Sequence, residues 1–194
     1  NAVTFLMIQL QSNLQKGTLP GAEAGAIVEG VMKECVELRQ SDMAHLLFRA
    51  ALRFRKYGLV ITHSCVKHLF SSYQSGDARS LMLTLAQELK NDPSMRAITL
   101  SALVFGGNVE EAVASLKGIS SLELVTEDVV AFLEGCGSQR RYPLVESLVD
   151  YYIPLAQAEQ LPQVNFSMVM SAALAATRGD HPIMGSIYRK ALAA

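Results

Sequence analysis

Polar turns interrupt this chain at intervals of thirty-odd residues, and each separates two apolar, helix-like runs. They read Ser41-Asp42, Gly76-Asp77, Gly107-Asn108, Arg140-Arg141 and Gly179-Asp180, spaced by 35, 31, 33 and 39 residues. Periods in this range belong to stacked helical hairpins. A single hairpin has two apolar faces and cannot bury both; stacking hairpins side by side closes a continuous core. The expected fold is therefore all-α, a right-handed α-solenoid of stacked helix-turn-helix hairpins.

The turns have a local chemistry as well as a rhythm. Asp or Asn stands at four of the five, placed to accept hydrogen bonds from the first amides of the next helix. Gly supplies the left-handed conformation that ends the preceding one. Between the turns, apolar periodicity predicts helices near 2–16 and 22–39, then one capped by Asp42 and ended at Tyr57-Gly58. Further helices are predicted near 61–73, 77–90, 95–105, 109–117, 127–136, 142–158, 164–177 and 181–193. Residues 119–125 read as a loop, Thr126 as the cap of the next helix, and Glu127 and Asp128 as acidic residues of its first turn. Pro154 is expected to bend or end its helix. Residues 1–21 form a partial leading helix and linker, and 22–194 about five degenerate hairpins. The whole is read as one helical-repeat segment of a longer protein.

Composition narrows the function classes. Half the residues are hydrophobic, which excludes a disordered chain. With 17 basic and 18 acidic residues the net charge is −1, so no global positive field draws the segment to nucleic acid. Cys35, Cys65 and Cys136 are odd in number and far apart. They make no disulfide framework and point to a reducing compartment. No apolar run approaches the roughly 20 residues that span a bilayer.

Several segments carry a family resemblance. Gly107-Asn108-Val109-Glu110-Glu111-Ala112-Val113 resembles the start of the second helix of a pentatricopeptide repeat, and Val129 to Gly137 the first helix and its turn. Tyr142, Val145, Leu148 and Val149 continue that register, and Leu69, Phe70, Tyr73, Gly76 and Leu81 occupy similar places earlier. Tetratricopeptide repeats share much of the pattern, but the chain lacks their usual Trp. The resemblance implies an organellar, typically mitochondrial, non-catalytic protein. It would serve RNA processing, editing or translation as an RNA-binding or assembly factor, with single-stranded RNA or ribonucleoprotein subunits as partners. In that family one polar residue on each first helix reads a base. The matching positions here are Val31, Val66, Ala97, Val130 and Val169, and no neighbouring register supplies Asn, Ser or Thr. The alternative is a tetratricopeptide-like scaffold that holds protein partners without touching RNA.

The candidate RNA-phosphate contacts are Arg49, Arg53 and Lys56, which share one face of a predicted helix, and Arg140-Arg141 in a turn. The bland alternative is a solvated cationic helix end. Tyr57, Phe70 and Tyr73 are of a type that stacks on bases, though their spacing suits core positions. His63, Cys65 and His68 do not all face one way on a helix and lack a fourth ligand, so no metal is expected. Glu110 and Glu111 diverge as helix neighbours and are not an acid–base pair. No phosphate-binding Gly loop with its Lys occurs, and no cofactor or small-molecule substrate is expected.

Overall fold

The computed structural model describes residues 2–72 and 77–193, with the backbone alone at Asp77. Among the described residues it contains eleven α-helices, two 3₁₀ turns and no strand. No described helix is long and apolar enough to cross a membrane. The chain divides into two compact units, Asn1–Ser80 and Leu81–Ala194.

The first unit contains α1 (Ala2–Gln15), α2 (Gly21–Glu37), α3 (Ser41–Phe54), a 3₁₀ turn (Arg55–Tyr57) and α4 (His63–Ser72). Its amphipathic centre is α3, whose Ala44, Leu47, Phe48, Ala51 and Phe54 point inward at three- and four-residue intervals. α2 packs on both α3 and α4, and α1 lies against α3. Val28, Met32 and Cys35 of α2 and Cys65, Val66 and Leu69 of α4 complete the core. The start of α2 docks so closely on residues 58–60 that the Val60 amide donates to the Gly21 carbonyl at 3.1 Å. A methyl group at Gly25 would overlap the Val60 carbonyl oxygen.

The boundary between the units falls inside α5 (Asp77–Leu89). The second unit continues with α6 (Arg96–Gly106), α7 (Val109–Gly118), α8 (Thr126–Ser138), α9 (Tyr142–Gln157), α10 (Phe166–Ala176) and α11 (His181–Ala193). Here α8 packs against both α6 and α10. Two glycines make these approaches close: Gly135 faces the Val104 side chain of α6, and Gly137 faces the Ala176 backbone of α10. Two residues along a helix is a rotation of about 200°, so the pair opens opposite sides of one helix. α7 packs on α6, and α9 touches α8, α10 and α11. Glu146 of α9 accepts from Ser186 and Lys190 of α11, at 2.5 and 2.9 Å.

Most helix boundaries fall within a few residues of those predicted, but the turns work differently in detail. The common device is a left-handed residue closed by backbone bonds. Asn108 N–H donates to the Leu103 carbonyl at 2.9 Å across Gly107, and Arg141 N–H to the Cys136 carbonyl at 2.8 Å across Arg140. Gln40 and Gln160 repeat the bond across Arg39 and Glu159, at 2.8 and 2.9 Å. Only Gly107 is a glycine among these four; Arg39, Arg140 and Glu159 each hold φ at 54°. Gly179 does not take this conformation. Of the expected caps, Asp180 acts as one, accepting from the Ile183 amide at 3.1 Å. Asp42 instead lies inside the first turn of α3, and the Asn108 side chain donates to the Glu111 carboxylate rather than capping the backbone. Thr126 is not a cap either. It is the first residue of α8 and its hydroxyl accepts from the Asn165 amide at 2.8 Å, joining two loops. α9 runs three residues beyond Pro154. The Gly76-Asp77 turn and Tyr73 lie outside the described residues, apart from the backbone of Asp77.

Candidate nucleic-acid interface

Arg49 and Arg53 lie on the exposed side of α3, opposite the apolar residues that anchor it. Arg49 Nε donates to His45 Nε2 at 3.3 Å, one helical turn earlier. Lys56 follows on the turn after the helix rather than within it. α3 ends at Phe54, and Lys56 sits on the following 3₁₀ turn with Nζ 4.8 Å above the Tyr57 ring. The Lys56 interaction holds the Tyr57 phenol below its ordinary pKa, aided by Gln15 and Gln11. Three exposed cations are thus carried on the end of one helix and the turn after it.

Arg140 and Arg141 belong to the second unit. Both are exposed, the first in the left-handed turn position and the second as the residue preceding α9. They line a cavity of 540 Å³ together with the start of α7. The first-helix positions that would read bases are packed instead. Val66 and Val169 are buried, and Val31, Ala97 and Val130 are half-buried. Tyr57 and Phe70 are likewise half-buried.

The histidine–cysteine cluster has a structural setting. Cys65 is buried, with burial raising its thiol pKa, and its sulfur lies 3.8 Å from the Thr62 hydroxyl, which donates to Glu29 at 2.7 Å. Burial holds His68 below its ordinary pKa. Among the described residues no group of three or more His, Cys, Asp or Glu side chains is placed to hold a metal ion. Cys136 is fully buried, and that burial pushes its thiol up to about 12.

Sequence reasoning missed an ion pair between α6 and α8. Arg96 at the start of α6 donates through Nε to Asp128 Oδ2 at 2.9 Å and through Nη2 to the Glu123 carbonyl at 2.7 Å. Asp128 also accepts from the Val125 amide at 3.4 Å, restraining the start of α8. Burial raises the Asp128 pKa, with Arg96 opposing that rise. The pair borders a cavity of 680 Å³ whose apolar lining includes Ala86, Leu100 and Leu103 and whose polar lining includes Lys90, Glu111 and Glu123. A signal existed: an Arg and an Asp stand in the first turns of two helices, 32 residues apart.

No protein-family model, curated protein or solved structure matches this chain.

Proposed function

We propose that the chain is a right-handed α-solenoid related to pentatricopeptide proteins. It acts without catalysis in mitochondrial RNA processing, editing or translation, as an RNA-binding or assembly factor. The observation that carries this reading is the helix order of the second unit. There α6, α8 and α10 succeed one another directly, with α7, α9 and α11 as companions, the arrangement a hairpin stack requires. The repeated hairpin sequences supply the link to RNA, and the exposed Arg49, Arg53 and Lys56 supply cations for phosphate. Recognition on this reading is of backbone and shape rather than of successive bases, because the first-helix positions carry apolar side chains.

The test is binding of labelled single-stranded RNA, measured by anisotropy over a salt series. Replacing Arg49, Arg53 and Lys56 together with Ala is expected to weaken binding and flatten the salt slope by roughly 0.7 for each phosphate no longer neutralised. An unchanged affinity and slope removes this cluster from the interface.

A second reading is a tetratricopeptide-like scaffold that holds protein subunits without touching RNA. It is favoured by the same apolar positions and by the balanced net charge of −1. Specific protein partners retained after nuclease treatment support it; loss of all of them on nuclease treatment rejects it.

A further inference from the structure

We infer that the groove between the Gly107-Asn108 and Arg140-Arg141 turns is a phosphate cradle that takes the backbone of single-stranded RNA. This rests on the RNA-binding reading and gives the second unit its own contact. The groove has a volume of 540 Å³, within the size range of ligand sites. One wall is Gly107, Asn108 and Glu110 at the start of α7; the other is Arg140, Arg141 and Pro143 at the start of α9.

Two adjacent exposed guanidiniums dominate its charge. Among the described residues neither Arg140 nor Arg141 forms a salt bridge. Both remain available for forked, two-point hydrogen bonds to phosphate oxygens. The α7 wall adds donors of the same polarity. The first intrahelical bond of α7 is Ala112 N–H to the Asn108 carbonyl at 3.2 Å, so the amides of Val109, Glu110 and Glu111 precede it. Neither Asn108 nor Arg141 caps its helix through a side chain. The start of α7 reinforces the arginines, since amides and dipole both favour an anion; on the α9 wall Pro143 has no amide hydrogen and the Leu144 amide already donates to the Arg141 carbonyl at 3.0 Å. Glu110 is the one carboxylate lining the groove; Glu111 beside it is engaged by Asn108. No aromatic side chain or Asn–Gln pair lines the groove for reading bases. The contact therefore grips phosphate without sequence preference, as the apolar first-helix positions require.

The turn geometry provides variants that remove charge without harming the fold. Gly suits the left-handed position of Arg140, and Ser is a good residue before a helix at position 141. The R140G/R141S double variant is expected to keep its thermal stability and bind a labelled single-stranded RNA more weakly. Its salt slope should fall by about 1.4, so that a roughly fourfold drop in salt widens the gap from wild type about sevenfold. E110Q, on the facing wall, should strengthen binding. If the wild-type chain binds RNA but both variants bind like it, the groove is overturned and the RNA reading stands. If the wild-type chain binds no RNA, both fall. If inorganic phosphate raises the thermal stability of wild type but not of R140G/R141S, and RNA does neither, the occupant is a free phosphate and the RNA assignment is overturned.

Discussion

Replacing Arg96 with Met should be far more damaging than replacing Asp128 with Asn, although both break one ion pair. The reason is the unequal burial of the partners: the Asp128 side chain is 3% exposed and that of Arg96 is 27% exposed. Removing Arg96 leaves a carboxylate stranded in the interior, and removing one member of a buried pair costs about 3–5 kcal/mol. Water reaches the arginine side, so the lower end applies, about 3 kcal/mol, equivalent to a fall of roughly 10 °C in melting temperature for a unit of this size. In D128N the amide oxygen can still accept from Arg96, whose charge is partly hydrated, and the expected loss is about 1 kcal/mol.

The two variants should also separate in their pH dependence. Asp128 has a folded pKa raised by burial above its unfolded value. Between those two values the folded protein binds the extra proton, so this residue makes the fold more stable as pH falls through that window. Without Arg96 the folded pKa rises further, and the R96M penalty is complete only above it. Melting followed by circular dichroism from neutral pH to about pH 4 should show R96M recovering toward wild type on acidification, while D128N does not recover. Equal losses in the two variants, or an R96M penalty independent of pH, would refute the assignment of the cost to a stranded Asp128 charge.

Other expectations follow from the packing. G25A should destabilise by about 1–3 kcal/mol because the new methyl meets the rigid Val60 carbonyl, whereas G30A in the same helix has open space and should stabilise by about 0.5–1 kcal/mol; chemical denaturation of both tests the opposite signs. E159G should leave the fold intact and stabilise it by up to about 1 kcal/mol, since a left-handed residue with a side chain carries a steric penalty; a clear loss of stability would contradict the turn assignment. Cys35, Cys65 and Cys136 are all buried as free thiols with raised pKa values. Native protein should therefore react with a thiol reagent only at the rate of its opening, and rapid labelling of any of the three contradicts their burial.

Helix existence was legible because its signals are local: apolar spacing, proline and polar turn residues act within a few positions of each other. The cap at Asp180 was readable for the same reason. Gly137 was not. It is small enough to suggest a turn, yet it ends up inside α8 against Ala176. Arg39 and Glu159 carry no turn signal of their own; the closing backbone bonds impose the left-handed conformation on them. Among the candidate phosphate contacts, the grouping of Arg49 and Arg53 followed from helical spacing. The separation of Lys56 from that helix depended on where α3 stopped.

By itself the sequence determined a helical chain with turns at a repeat-like spacing, because those choices cost or gain free energy within one helical turn. Tertiary structure alone decided that Gly135 and Gly137 open two sides of α8, that Arg96 meets Asp128, and that Arg140 and Arg141 share a groove with the start of α7. Each joins residues about thirty or more positions apart in the sequence. Local preference is blind to such pairings, and only the closing of apolar faces brings them together.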